Sequence, residues 1–400
     1  VPIADISGPA GRQRADACPG ALQVHEAADG PLARVRLPGG AISTGQLREL
    51  ASCAANLGSG VIELTSRANV QVRGLRSPTA FAGRIAAAGL LPSAAHERVR
   101  NIVASPLGGR AGGLLDTQPV VEALDLALCA RPRLAELPGR FLFAVDDGTG
   151  DMLGLGADVA YVPVAAGGRL LLAGRDAGPA IPVGSAVAQM IAAAEAFLDE
   201  RERGLADRDR TAWRIAELED GPARIAARLC VPEAGPAVPQ RQEERAAPVQ
   251  RAGRVEQRDG HVALEAVVPL GRLSAAQAHA IADAAGAREA VPVRFTPWRT
   301  VVLLDLTPTA ADRAARMLAD AGLVTDPGSP WVGVSACTGR PGCAKSLADV
   351  QEDARRWVAA LDGPPATPVH WAGCERRCGL PRGRVVQMVA TATGYEERRQ

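Results

Sequence analysis

Aromatic residues are scarce in this chain of 400 residues: five Phe, five Trp and two Tyr. That excludes a core built on stacked rings, so Ala, Val and Leu must carry most of the packing. Lysine is nearly absent. Lys345 is the only one, and arginine supplies almost all the positive charge. Base composition is the plainer cause, given the abundance of Ala, Gly and Pro, but arginine's planar fork also suits ligands with several carboxylates. Nor is there an excess of one charge: the net charge of +1 gives no general pull toward nucleic acid or a membrane surface. No apolar run approaches the ~18–20 residues that would span a bilayer. The N-terminus lacks a basic-then-apolar leader pattern, so a cytoplasmic protein is the expectation.

Without such a leader, disulfides are not expected, and the eight cysteines point instead to metal or redox chemistry. Cys18, Cys53, Cys129 and Cys230 stand singly and read as ordinary small buried residues. The other four form two close pairs near the C-terminus, Cys337-x5-Cys343 and Cys374-x3-Cys378. A 4Fe–4S cluster needs four converging thiolates and tolerates ligands from two loops. Structural zinc usually takes closer pairs, so the spacing favours the cluster over zinc. Gly339, Gly342 and Gly379 would let backbone amides approach the sulfurs.

The chain is also written twice. Pro38, Gly40, Ser43, Gln46 and Thr65 recur as Pro269, Gly271, Ser274, Gln277 and Thr296, all at one offset of 231 residues. In each copy Ser stands three residues before Gln at the head of an Ala-rich segment, which predicts a capping box. Each then gives two β-like runs, 61–65 and 70–72 in the first copy, 291–296 and 301–304 in the second. Ser77-Pro78 and Thr307-Pro308 predict a second helix in each copy, with Pro in its first turn. Each of those helices should stop at Ala-Gly-Leu, residues 88–90 and 321–323. Residues 185–203 and 210–229 read as further helices. Pro106 stands where the offset would put a first cysteine, so the first copy has no cluster of its own. Mixed strands and helices in both halves predict an α+β class with internal pseudo-twofold symmetry.

At its paired cysteines the chain resembles the sirohaem-dependent sulfite and nitrite reductases, which carry C-x5-C and C-x3-C in their second repeat. The resemblance runs from about Cys18 to Tyr395. It includes Thr65-Ser66-Arg67-Ala68-Asn69-Val70-Gln71 and Arg100-Asn101-Ile102. Within that superfamily the chain is most similar to the precorrin-3B synthase family of aerobic cobalamin biosynthesis, through Cys18-Pro19-Gly20-Ala21, residues 64–71, Leu137-Pro138-Gly139-Arg140-Phe141, residues 143–148 and residues 336–339. One departure separates the two. The reductases hold their anion with two arginines and a basic pair spaced one apart, whereas here the pair reads Arg140 and Leu142.

The resemblance implies a fold of two pseudo-symmetric repeats, each a ferredoxin-like half-domain followed by a reductase-like α/β domain. The implied division is an N-terminal arm over 1–17, a half-domain over 18–90 and a clusterless reductase-like domain over 91–230. A linker over 231–253 leads to the second half-domain over 254–324 and the 4Fe–4S domain over 325–400. It implies a substrate, precorrin-3A, met by Arg67, Asn69, Gln71, Arg100 and Arg140, with dioxygen as the second reactant. Asp146 and Asp147 are the candidate catalytic acids. Implied cofactors are the 4Fe–4S cluster on Cys337, Cys343, Cys374 and Cys378 and a mononuclear non-haem iron. An electron donor is required, NADH being one candidate, and a monomer is compatible with all of this. The competing expectations are a sirohaem reductase of sulfite or nitrite, and a non-catalytic tetrapyrrole or Fe–S carrier.

Overall fold

The computed structural model describes residues 18–165, 167–205, 212–229, 252–286 and 291–399. The arm expected over 1–17, Cys230 and nearly all of the expected linker lie outside them. The first half-domain runs β1 (His25–Ala27), β2 (Gly30–Val35), β3 (Ala41–Ser43), α1 (Thr44–Leu57), β4 (Val61–Leu64), β5 (Val70–Val72) and α2 (Pro78–Ala87). The reductase-like unit after it comprises β6 (Ile102–Ala104), α3 (Thr117–Cys129), β7 (Phe143–Val145), β8 (Val159–Val164), β9 (Gly167–Leu172), β10 (Arg175–Asp176), α4 (Val183–Leu205) and α5 (Gly221–Arg228). The second half-domain repeats the first as β11 (Gly253–Glu256), β12 (Val262–Val267), β13 (Arg272–Ser274), α6 (Ala275–Ala285), β14 (Pro292–Phe295), β15 (Thr300–Leu306) and α7 (Pro308–Asp320). Last come β16 (Val334–Ala336), α8 (Val350–Val358), β17 (Val369–Ala372), β18 (Val386–Thr391) and β19 (Gly394–Arg399).

Local chemistry sets the helix starts. Ser43 and Ser274 each accept from the amide three residues on, while Gln46 and Gln277 reach back, so both capping boxes are complete. Ser77 and Thr307 cap α2 and α7 ahead of their prolines. The helix expected over 210–229 is a correction. Among its described residues only Gly221–Arg228 is α-helical, because Asp220 adopts a left-handed φ of 47° and Pro222 follows at the new start.

The duplication is visible in the backbone. Left-handed φ values recur at the same offset: Gly39 and Leu270 (62° and 55°), Gly40 and Gly271 (69° each), Ala68 and Arg299 (56° and 62°), Gly74 and Asp305 (60° and 58°). Three of the second-copy residues are not glycine and accept the strain of that region, as Ala68 does in the first copy. At Gly40 glycine is obligatory, since a Cβ would lie 1.9 Å from the Phe295 carbonyl oxygen.

One feature the sequence hid is a strand exchange. The first sheet runs β1-β2-β5-β4-β13 and the second β11-β12-β15-β14-β3, so each half-domain donates one short edge strand to the other. The helices α1, α2, α6 and α7 pack with both sheets into one continuous core, including Leu50, Phe81, Ile85, Ile281, Phe295, Val301 and Leu318. The reductase-like units share a pattern as well. In each, three parallel strands (β6-β7-β8 and β16-β17-β18) end in an antiparallel one.

Candidate functional site

Strand alternation puts Arg34, Gln71, Glu63 and Arg272 in one cross-strand row on the first sheet. Arg34 Nη2 donates to Gln71 Oε1 at 2.9 Å, Gln71 Nε2 to Glu63 at 2.6 Å, and Arg272 pairs with Glu63. The same row on the second sheet reads Glu265, Val302, Arg294 and Ala41. There Ala263, Val302 and Leu304 close against Leu107 and Val255. The two copies therefore present two faces, one with a continuous polar row and one whose charged residues are separated by Val302, in the cluster that Leu107 and Val255 cover.

Around the polar face the cations outnumber their partners. Arg36 is 2% exposed and donates only to the carbonyls of Pro19 and Arg98, leaving a buried Nη1 with no hydrogen bond. Burial first, then Arg34 and Arg67, hold its pKa well below the usual arginine value. Arg67 donates to the Gly139 and Arg140 carbonyls at 3.1 and 2.9 Å; burial and then Arg214 bring its pKa down to about 10. Buried guanidinium groups without carboxylates mark a place prepared for an anion. The Cys18 loop is part of the same construction. Glu97 accepts from the amides of Ala21, Leu22 and Gln23 at 2.6, 2.7 and 3.0 Å, and a Cβ on Gly20 would sit 2.3 Å from its carboxylate. Cys18 itself, expected to be an ordinary buried residue, is half-buried and acts electrostatically on Arg36 and Arg67.

The other expected residues divide. Arg140 is exposed, its guanidinium 5.3 Å from the Trp213 ring centroid and close enough to act on Cys378. Gln71 lies in the polar row. Asn69 is buried: it accepts from the Leu37 amide at 2.9 Å and donates to Asn101 at 3.1 Å, so it shapes the loop under Arg67. Arg100 corrects the expectation of a free carboxylate binder. It is 5% exposed and bidentate with Asp125 at 2.7 and 2.6 Å. Asp146 and Asp147 are buried too. Asp146 accepts from the amides of Gly148, Gly150 and Met152, and Asp147 from Thr149, which is the geometry of a loop anchor, not of a base facing a substrate. With Asp151 they bring three carboxylate oxygens within 4.8 Å. That donor set contains no imidazole, so it does not fit a non-haem iron of the histidine–carboxylate kind. Leu142 is 3% exposed in an apolar cluster with Val103, Ala144 and Met152, against which Trp298 packs.

The four paired cysteines converge from the ends of β16 and β17. None is in a disulfide. Burial pushes the Cys337 thiol up, opposed by the amides of Gly373, at 3.2 Å from its sulfur, and Gly339. Burial also raises Cys378, followed by the nearby Cys374 and Cys343. Mutual repulsion among thiolates, with amides already aimed at sulfur, is what a multi-metal centre would relieve, so these residues fit an Fe–S cluster. Three groups that sequence reasoning passed over hold the loops in place. Arg299 donates to the Gly379 carbonyl and His370 Nε2 lies 3.2 Å from the Cys378 carbonyl. Arg73, just past the end of β5, is 7% exposed, pairs with Asp29 at 2.8 Å and donates to the Gly342 carbonyl. The cysteine loops are thus tied directly to the polar face of the first sheet.

Comparison with known proteins agrees with this architecture. The model of the nitrite/sulfite reductase ferredoxin-like half domain matches residues 25–79 and 255–321. A precorrin-3B synthase of Sinorhizobium is 27% identical over 99% of this chain and 85% of its own. A ferredoxin–nitrite reductase of Synechococcus elongatus is 28% identical over 88% of this chain and 74% of its own. The structure of the Mycobacterium tuberculosis NirA protein superposes with a TM-score of 0.74 over 92% of this chain and 73% of that one, at 23% identity. The two matched half-domains, the relatives that align over most of the chain and the common fold make the chain similar to the nitrite and sulfite reductases and to precorrin-3B synthase.

Proposed function

We propose that this chain is an oxidoreductase of the precorrin-3B synthase type, which binds the reduced, polycarboxylate tetrapyrrole precorrin-3A and oxygenates it with dioxygen. The observation that carries the reading is the surplus of arginine, buried at Arg36 and Arg299 and half-buried at Arg67, between the polar face and the cysteine loops. Arg36, Arg67 and Arg299 have no carboxylate partner among the described residues, and burial depresses all three. A macrocycle with many acids would supply those partners. Cys337, Cys343, Cys374 and Cys378 would hold a 4Fe–4S cluster, which when bound supplies one-electron transfer.

In the family reaction the meso carbon between rings A and D is hydroxylated and a lactone closes with the ring A acetate. One oxygen atom of dioxygen enters the product and the other leaves as water, consuming two electrons and two protons. The chain's own residues bind and orient. Arg36 and Arg67 anchor the acids, and Arg140, braced on Trp213, stands between them and Cys378. Leu142, Val103 and Trp298 keep water from the adjoining wall. The electron donor is a separate molecule.

Likeness to nitrite reductases favours a second reading, a sirohaem enzyme reducing nitrite or sulfite. Leu142 argues against it, because it stands where the resemblance puts the second basic residue of those enzymes, and it lies in an apolar cluster. The visible spectrum separates the two. A sirohaem enzyme has strong macrocycle bands, whereas the proposed enzyme shows only the broad absorption of its cluster before substrate is added.

Two binding results are expected. Arg36→Gln and Arg67→Gln each weaken tetrapyrrole binding, followed by fluorescence quenching, by roughly tenfold to a hundredfold, since a charge-assisted hydrogen bond contributes about 1.5–3 kcal/mol. Arg100→Ala instead lowers the melting temperature, because breaking a buried pair costs about 3–5 kcal/mol. Unchanged affinity in both of the first variants would show that these arginines do not meet the ligand. The stoichiometry should be one macrocycle per chain, because the second sheet face is closed by Leu107 and Val255.

A further inference from the structure

The second sheet, closed to a macrocycle, has kept one feature that its packing does not explain. Arg294 is 6% exposed and makes no ion pair among the described residues; its one hydrogen bond is a long contact of 3.4 Å to the carbonyl of Val293. The pseudo-symmetry shows how it lost its partners. Its counterpart in the first copy is Glu63, which is held by Arg272 on one side and Gln71 on the other. At the corresponding places Arg294 meets Ala41, which has no polar group, and Val302, which cannot bridge to Glu265. Glu265 is instead taken by Thr300. The missing side chain at Ala41 leaves a groove of about 350 Å³ between the β3–β14 edge and α3, lined among others by Ser43, Arg110, Gln118, Glu122 and Arg294. Arg110 is occupied by Asp305, at 2.8 and 2.9 Å, and Glu122 by Gln118 at 2.6 Å. Asp116, Glu122 and Asp305 act on Arg294 only at a distance, and burial brings its pKa down to about 10.

We propose that this groove is a second binding site, distinct from the tetrapyrrole face, that takes a small oxyanion, a phosphate or a compact carboxylate, on the Arg294 guanidinium. The anion stands in for the oppositely charged partner that Glu63, the counterpart of Arg294, finds in Arg272. Ser43 can add a hydroxyl donor at the rim, and Glu122 sets a limit on affinity by repulsion. The site does not depend on the catalytic reading, since none of the residues lining it belongs to the tetrapyrrole face.

The test uses the purified holoprotein titrated with inorganic phosphate in one arm and succinate in the other, against chloride at matched ionic strength, with melting temperature and calorimetry as readouts. A saturable response above chloride is expected in at least one arm, and the arm that responds identifies a phosphoryl or a carboxylate ligand. Arg294→Gln should weaken that response about tenfold, the share of one charge-assisted hydrogen bond. Ala41→Glu places a carboxylate cross-strand from Arg294, so it should raise the melting temperature without ligand and abolish the response. That variant decides the matter if Arg294→Gln folds poorly. Glu122→Gln should tighten binding. No saturable response in either arm, or a response that survives Ala41→Glu, overturns the proposal. So does a Glu122→Gln variant that loses stability and gains no affinity, which would make Glu122 the partner of Arg294.

Discussion

Replacing any one of Cys337, Cys343, Cys374 or Cys378 with Ala is expected to yield protein without its full iron and sulfide and without the broad visible absorption of a cluster. Cys53→Ala and Cys129→Ala should retain both. The difference follows from geometry. Cys53 is buried in the half-domain core with its thiol pushed up to about 11, chiefly by burial, and such a thiol is inert. Cys129 closes α3 and is likewise raised by burial. The paired cysteines face one another from two loops, with Gly373 and Gly339 amides on the Cys337 sulfur. Three thiolates cannot hold a four-cornered centre securely. Chemical iron and sulfide determination checks this, and equal loss in both groups of variants would remove the cysteine assignment.

The second large effect is at Leu142. A lysine there would put an ammonium among Val103, Ala144, Met152 and Trp298, with the nearby Asp158 already committed to Arg214 and to the residue's own amide. An unpaired buried charge costs several kcal/mol, so Leu142→Lys should melt well below the wild type and lose tetrapyrrole turnover. Leu142→Met, which conserves volume, should cost less than about 1.5 kcal/mol. A Leu142→Lys variant that stays stable and begins to reduce sulfite would show instead that position 142 opens onto an anion site.

Most of the fold was legible because duplication and capping are local signals. Ser43, Gln46 and their copies Ser274 and Gln277 announce the same turn twice, and the structure has both capping boxes. The exchange of β3 and β13 was not legible, since three-residue edge strands carry no pattern that says which sheet they join. The helix over 210–229 failed for a similarly local reason. Its composition suits a helix, but a single left-handed residue at Asp220 divides it.

At the site, spacing singled out the four cysteines as candidates because a C-x5-C and C-x3-C pattern is rare by chance. The arginines were harder. Arg67 was marked by its strand, yet Arg36 and Arg299 carry no motif and are recognised only by burial without an acid. Arg100 looked the same in sequence as Arg67, and only its proximity to Asp125 reveals a structural role. The scarce aromatics turn out to be concentrated. Trp331, Trp357, Trp371 and Tyr395 pack in the cysteine-bearing unit, while Trp213 and Trp298 stand beside Arg140 and Leu142. Composition alone could say how few there are, not where they would be spent.

The central claim is that the chain oxygenates a tetrapyrrole and does not reduce a small anion. Its most direct test takes anaerobically purified protein with its cluster intact and supplies precorrin-3A, isotopically labelled dioxygen and a reductant, then weighs the product. The account predicts a product heavier by labelled oxygen and carrying the new lactone, with no turnover of sulfite or nitrite by the same preparation. Sirohaem bands in the purified protein together with steady reduction of either anion would contradict it, and tetrapyrrole returned unchanged would leave only a carrier.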